Sequence, residues 1–137
     1  MTTQTHDTTT RTDHNIWAGI AYDDAISART WLQALGFEGG VLVAEDDGTV
    51  RHSEMVWPEG GRVMVHSRGK EDDAFTTPRG AASVYVVVDD PDAVWARAQE
   101  LEVRVVRPLE DTDYGSRGFS IADPEGNRWS FGTYAGE

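Results

Sequence analysis

Two stretches of the chain carry apolar residues at a helical period. In the first stretch these residues lie at i, i+3, i+4 and i+7, namely Ala28, Trp31, Leu32 and Leu35. Asp24 stands where an N-cap belongs, and Gly36 stands where a helix would end. The second stretch begins after Asp90, with Pro91 at the first helical position and a stripe made of Val94, Ala98 and Leu101. The pattern therefore predicts two amphipathic helices.

The remaining apolar runs are short, rich in β-branched and aromatic residues, and bounded by Gly, Asp or Pro, which is typical of strands. The first set of predicted strands covers residues 16–22, 41–45, 52–56 and 62–67. The second set covers residues 83–88, 104–107, 118–122 and 128–133. The glycine-rich runs at residues 39–40 and 60–61 are predicted to be turns. Each half then has the order βαβββ, which predicts an α+β fold.

The two halves are also similar residue by residue, at a constant offset of 66 positions. Asp23-Asp24 reappears as Asp89-Asp90, and Pro58-Glu59-Gly60 reappears as Pro124-Glu125-Gly126, with no gap between the blocks. Two blocks in one register indicate two copies of one supersecondary unit. We predict a single domain at residues 14–137, with repeat one at about 16–68 and repeat two at about 82–134. Residues 1–13 hold almost nothing apolar and are predicted to form a disordered tail.

Two predicted hairpin turns, at residues 57–61 and 123–127, fix which side chains share a face of each sheet. With residue 57 paired to residue 61, Glu54 faces Met64 and His52 faces His66; Ser120 likewise faces Ser130. One face is uniformly apolar and is predicted to pack against the helices, with Val63, Val65, Trp129 and Phe131. The polar side chains are therefore expected on the opposite face.

Composition narrows the choice of function. Of 137 residues, 39% are hydrophobic and 26% charged, as in an ordinary globular domain, and the formal net charge of −12 repels phosphate backbones and anionic lipid. The absence of cysteine excludes disulfides and thiolate metal sites. No apolar stretch is long enough to span a membrane. We expect a cytoplasmic protein that binds neither nucleic acid nor membranes.

The C-terminal half carries a recognisable motif. It contains Asp113-Tyr114-Gly115-Ser116-Arg117 and then Asp123-Pro124-Glu125-Gly126-Asn127-Arg128-Trp129. With the paired βαβββ units and the Asp-Asp before each helix, this sequence resembles the vicinal oxygen chelate superfamily, which contains glyoxalases, bleomycin-resistance proteins and extradiol dioxygenases. The resemblance covers residues 16–134. It implies two half-barrel sheets around a cleft, and a homodimer.

Enzymes of that superfamily hold a divalent metal with His or Glu on the first and last strands of both repeats. The matching positions here are Trp17, Met64, Ser83 and Ser130. None of these side chains is a useful ligand for Zn²⁺, Ni²⁺ or Fe²⁺. The resemblance therefore implies the bleomycin-resistance branch, whose members sequester a drug without transforming it, and we predict no metal and no other cofactor.

Ligands of that branch usually stack on aromatic rings. Trp17 and Tyr85 are predicted on first strands facing the cleft, and Tyr114 in the loop beside it. His52, Glu54 and His66 are expected to supply polar contacts, and the predicted cleft lining is completed by Met64, Ser83 and Ser130. The predicted function is metal-independent binding of a small molecule, namely an aromatic antibiotic or drug.

A competing hypothesis is enzymatic. His52, Glu54 and His66 are predicted to project from one face, and two imidazoles with a carboxylate can bind Fe²⁺ or Zn²⁺. Alternatively, Glu54 would orient a histidine that acts as a general base. Either arrangement would serve a lyase, isomerase or dioxygenase with a non-standard site. The sequence leaves open whether the chain is an enzyme, although binding without turnover is favoured.

Overall fold

A computed structural model of the chain describes residues 15–69 and 74–137, so the predicted tail at 1–13 lies outside the described residues. The elements follow one another in the predicted order, βαβββ twice. They are β1 (Ala18–Tyr22), α1 (Ala25–Leu35), β2 (Glu38–Ala44), β3 (Val50–Val56), β4 (Arg62–Ser67), β5 (Ser83–Val87), α2 (Pro91–Glu100), β6 (Arg104–Asp111), β7 (Arg117–Ala122) and β8 (Arg128–Gly132). The predicted α+β fold is confirmed.

The strands form two four-stranded sheets of identical topology. Their orders are β1-β4-β3-β2 and β5-β8-β7-β6, in which the first strand of each repeat runs parallel to the last and the other pairs are antiparallel. Glu54 pairs with Met64, and Ser120 pairs with Ser130, as the hairpin turns predict. The strands β1 and β5 are edge strands, and so are β2 and β6.

Local capping explains where the helices begin and end. The Asp24 side chain accepts a hydrogen bond from the Ser27 amide at 3.0 Å, and Gly36 ends α1 with φ at +125°. Asp90 caps α2 in the same way, accepting from the Ala93 amide at 3.2 Å. In the part of the chain that the structure describes, no helix has both the length and the apolar character that a membrane span needs.

One hydrophobic core joins the two repeats. The apolar faces of both sheets are buried in it, as predicted, with Val65 and Trp129 fully inaccessible. Aromatic rings cross from one repeat to the other, with centroids 5.7 Å apart for Phe37 and Trp129 and 6.0 Å apart for Trp57 and Phe131. Because both sheets turn these inner faces to a shared core, their opposite faces point away from it. We call those two surfaces the outer faces of repeat one and repeat two.

Buried polar contacts also tie the repeats together. The Asp123 carboxylate, 5% exposed, accepts a hydrogen bond from the Tyr22 hydroxyl at 2.6 Å across 101 residues of sequence. Glu125 accepts from the amides of Asp23 and Asp24 at 2.7 and 2.9 Å. The residue 66 positions earlier, Glu59, accepts from the Asp89 amide at 3.1 Å. Each hairpin therefore binds the start of the other repeat's helix, which explains the repeated Asp-Asp and Pro-Glu-Gly blocks.

The strand boundaries differ most from the prediction in β1, β2 and β6. β1 begins at Ala18 rather than at residue 16, so Trp17 lies just before the strand. The predicted turn at residues 39–40 is wrong, because both glycines lie within β2, where a Cβ on Gly40 would meet the Glu54 carbonyl oxygen at 2.9 Å. β6 continues through Pro108 to Asp111, since an edge strand tolerates a residue without an N–H.

Candidate functional site

The outer face of repeat one carries a chain of polar contacts. Arg62 donates a hydrogen bond from Nη1 to Glu54 Oε1 at 2.6 Å, and the other carboxylate oxygen of Glu54 lies 2.7 Å from His52 Nε2. The guanidinium carbon of Arg62 lies 5.0 Å from the ring centroid of Trp17, within cation–π range. The indole, guanidinium, carboxylate and imidazole therefore form one continuous surface across β4 and β3.

Glu54 is the centre of this chain of contacts. Its side chain is 14% exposed, whereas that of His52 is 44% exposed. The hydrogen bond with His52, and then the hydrogen bond and charge of Arg62, hold the pKa of Glu54 below its usual value. Glu54 is accordingly an ionised carboxylate that orients His52, and the imidazole is the group that a ligand can reach.

His66 does not join this cluster. Its Nε2 lies 3.1 Å from the Phe75 carbonyl oxygen, in the connection between the repeats. Within residues 15–69 and 74–137, no three side chains of the His, Cys, Asp and Glu types come together as a metal-binding group. The structure therefore brings His52 and Glu54 together and leaves His66 with a different partner. These three residues do not form the metal site that the competing hypothesis requires.

The outer face of repeat two is lined by tyrosines. Tyr85, on β5, donates a hydrogen bond from its hydroxyl to the Tyr134 carbonyl oxygen at 2.7 Å, and the Tyr114 ring meets the Tyr134 ring edge to face at 6.1 Å. Burial raises the pKa of the Tyr85 hydroxyl, while the charge of Arg107 acts in the opposite direction. These residues line a pocket of about 170 Å³ on this face.

Two glycines make room for this tyrosine pocket. Gly118 and Gly132 face each other across β7 and β8. A Cβ on Gly132 would lie 2.9 Å from the Tyr85 hydroxyl oxygen, and a Cβ on Gly118 would lie 2.5 Å from the Phe131 carbonyl oxygen. The contact at position 118 is with backbone, so that position requires glycine, whereas a Cβ at position 132 would push the Tyr85 hydroxyl aside.

The sequence profile described as the Glyoxalase/Bleomycin resistance protein/Dioxygenase superfamily matches residues 13–131. The chain belongs to this superfamily. No curated protein matches it significantly. Among solved structures it is similar to TioX from Micromonospora sp. ML1, with 28% identity, a TM-score of 0.74 and coverage of 89% of this chain and 99% of that one.

Two other similar structures carry the name of the same superfamily. The glyoxalase/bleomycin resistance protein from Catenulispora acidiphila DSM 44928 is 27% identical, covers 86% of this chain and 96% of its own, and has a TM-score of 0.59. A superfamily member from Sphaerobacter thermophilus DSM 20745 is 24% identical, covers 86% of this chain and 95% of its own, and has a TM-score of 0.63. These matches agree with the paired βαβββ fold.

The residues at the superfamily's four metal positions do not fit a metal. Trp17 packs against Arg62, and Met64 lies beside Gly19 on β1. Ser83 is exposed at the start of β5, and Ser130 Oγ lies 2.6 Å from Ser120 Oγ. An indole, a thioether and two neutral hydroxyls do not make a site for a divalent cation.

A larger groove of about 610 Å³ lies along the edge strands β1 and β5, where the two repeats meet. We call it the edge groove. It includes Arg62 from the outer face of repeat one and Tyr85 from the outer face of repeat two. Its apolar lining contains Ile16, Ala18, Phe37, Trp57, Val63, Val84, Val86 and Val87.

Sequence reasoning missed three residues of these surfaces. Arg62 alternates with Met64 and His66 along β4, so the strand pattern already places these three residues on one face. Arg107 lies inside a predicted strand, but its partner Ser120 is set by a bulge in β6 that sequence does not reveal. Tyr134 contributes its ring and its carbonyl oxygen after β8 has ended, where no periodic pattern applies.

Proposed function

We propose that this chain is a metal-independent binding protein for a small aromatic molecule, of the drug-sequestering kind found among bleomycin-resistance proteins. The observation that carries the proposal is the set of exposed aromatic rings beside residues that cannot bind a metal. Trp17 is 39% exposed, Tyr85 47% and Tyr114 68%. Stacking on such rings contributes about 0.5–1.5 kcal/mol per contact beyond the burial of area.

The proposed assembly is a homodimer. β1 and β5 are edge strands, and apolar side chains are exposed at both, with Ile16 93% and Val87 45% accessible. Edge strands with exposed apolar side chains are favourable places for a second chain to pair. A second copy seated along the edge groove would place its repeat two opposite repeat one of the first chain. The cleft would then combine Trp17 and His52 from one chain with Tyr85 and Tyr114 from the other.

The polar groups set the orientation of the ligand in this proposal. His52 is half-buried and held by Glu54, so it offers a fixed donor or acceptor at the side of the aromatic floor. Met64, Ser83 and Ser130 supply the rest of the lining, and His66 lies at its margin. The cytoplasmic location expected from the sequence stays a prediction.

A second candidate function rests on the contact between His52 and Glu54. A carboxylate 2.7 Å from an imidazole nitrogen can orient that imidazole as a general base for a lyase or isomerase. His52 would then remove a proton from a bound ligand, and the ligand would be transformed. This hypothesis predicts turnover, whereas the binding proposal predicts an unchanged ligand.

Ring substitutions test the binding proposal. Thermal stabilisation should be measured with a panel of planar aromatic antibiotics, and the affinity of each hit determined by calorimetry. Tyr85→Leu should weaken binding by roughly two- to tenfold, because it removes one stacking contact. Tyr85→Phe is the matched control, since it keeps the ring and loses only the hydroxyl bond to Tyr134.

Two results would contradict the proposal. The first is equal loss of affinity in Tyr85→Leu and Tyr85→Phe, which would mean that the ring does not stack. The second is a panel without any stabilising compound together with turnover of a small substrate that His52→Ala abolishes. The second result would establish the enzymatic function instead.

A further inference from the structure

Arg107 lines the tyrosine pocket on the outer face of repeat two, opposite Ser120. Among the residues that the structure describes, no carboxylate pairs with it. Glu110, the nearest acidic residue along β6, pairs with Gly118 and does not line the pocket. Arg107 is an exposed positive charge in a chain whose acidic residues outnumber its basic ones by 24 to 12.

Two other arginines near the candidate site are held by carboxylates. Arg62 is bound to Glu54 at 2.6 Å on the outer face of repeat one. Arg117 also borders the tyrosine pocket, but Asp92 and Asp111 hold its guanidinium at 2.8 and 3.2 Å. Arg107 is thus the pocket residue whose positive charge is left for a ligand.

The internal repeat shows how this difference arises. Sixty-six positions separate Glu54 from Ser120, and the same offset separates Arg62 from Arg128 and Val41 from Arg107. Repeat one therefore has a carboxylate where repeat two has a hydroxyl, and it has an apolar side chain where repeat two has Arg107. The outer face of repeat two is cationic and rich in hydroxyls, although the protein as a whole carries a charge of −12.

We infer that the tyrosine pocket binds the carboxylate of an aromatic acid, with Arg107 as the residue that selects for the negative charge. This inference rests on the proposed function and names its class of ligand. A guanidinium presents two parallel donors that match a carboxylate. A cavity of about 150 Å³ holds a benzene molecule, so the pocket of about 170 Å³ accommodates one aromatic ring beside Tyr85 and Tyr114. A second fused ring would extend over the open sheet.

Two isosteric probes test the selection for charge. Naphthalene-2-carboxylate and naphthalene-2-carboxamide differ in charge but hardly in shape, and their affinities at pH 7 can be measured by NMR titration. The wild-type protein should bind the carboxylate about tenfold more tightly than the carboxamide. Arg107→Met should lose that preference, whereas Arg107→Lys should keep part of it. Arg104→Met is the matched control, because Arg104 lies on the same strand and outside the pocket.

Each result leads to a different conclusion. Equal binding of the two probes to the wild type would overturn the selection for an acid while leaving aromatic binding intact. A preference that survives in Arg107→Met, or that is lost in Arg104→Met, would overturn the role of Arg107. If neither probe binds, this inference fails, whereas the proposed function is decided separately by the panel of antibiotics. Arg107 is exposed on an edge strand, so an unchanged melting temperature is the check that the variant is folded.

Discussion

Removal of the Asp123 carboxylate tests the buried polar network that holds the second hairpin and joins it to repeat one through Tyr22. The two carboxylate oxygens accept hydrogen bonds from the Tyr22 hydroxyl at 2.6 Å, the Trp129 indole at 3.1 Å and the Asn127 side-chain amide at 3.1 Å. They also accept from the backbone amides of Glu125 and Asn127, both at 3.0 Å. Asp123→Ala leaves all five donors without this acceptor, and four of the five contacts are buried.

The expected cost follows from the burial of these donors. A buried donor left unsatisfied costs about 1–3 kcal/mol, but neighbouring losses are not additive, so we expect about 4–5 kcal/mol in total. The entropy of unfolding, about 2.1 cal/mol/K per residue, amounts to about 0.29 kcal/mol/K for 137 residues. Asp123→Ala should therefore lower the melting temperature by roughly 14–17 °C.

Differential scanning calorimetry and urea unfolding would measure this loss. The matched control is Asp47→Ala, because Asp47 is an exposed turn residue that accepts one backbone hydrogen bond, from Thr49 at 2.9 Å. Asp47→Ala should cost less than about 1 kcal/mol. A double-mutant cycle with Tyr22→Phe should show positive coupling of about 1–2 kcal/mol. A loss below about 5 °C in Asp123→Ala, or one equal to that of Asp47→Ala, would refute the reasoning.

Three further predictions follow from other contacts. Glu125→Gln should lower the free energy of unfolding in urea by about 1–2 kcal/mol. Glu59→Gln should lower it by less, because the Glu125 side chain is 8% exposed and its hydrogen bond to a backbone amide, at 2.7 Å, is shorter than that of Glu59, at 3.1 Å. Equal losses in the two variants would contradict this. Burial and its carboxylate partner raise the pKa of Tyr22 above the usual 10. The contribution of Tyr22 to stability should therefore be constant below about pH 9 and be lost at higher pH, where this tyrosine ionises in the unfolded chain. Tyr22→Phe should flatten that fall, and an unchanged alkaline profile would count against it. Gly132→Ala should displace the Tyr85 hydroxyl, which a Cβ would approach to 2.9 Å, and should weaken the binding of aromatic ligands by roughly two- to tenfold, as Tyr85→Leu does, while NMR shows an unchanged fold. An undisturbed Tyr85 would contradict this close approach.

The sequence predicts the parts of this fold that local chemistry determines. Asp24 and Gly36 delimit α1 because a side-chain cap and a positive φ are properties of single residues. The pairing of Glu54 with Met64 follows from a hairpin turn of five residues, and alternation then assigns every side chain of β4 to a face. The offset of 66 residues carries each of these predictions from one repeat to the other, and the predicted element order is correct in both repeats.

Contacts between distant segments could not be predicted in this way. Pro108 is a strand breaker by its own chemistry, and only the position of β6 at the edge of a sheet makes it acceptable. His52, Glu54 and His66 share a face by alternation, but the connection between the repeats decides that His66 bonds to Phe75 instead. The hydrogen bond from Tyr22 to Asp123 spans 101 residues and depends on how the two sheets share one core.

The central claim is that this chain binds an aromatic molecule without a metal and without transforming it. Native mass spectrometry of the chelator-treated protein, mixed with planar aromatic antibiotics, tests it most directly. The account predicts a dimer that carries the ligand at its unaltered mass, with the same occupancy before and after chelation. A ligand whose mass changes on incubation, or whose binding is lost on chelation and restored by a divalent metal, would contradict it.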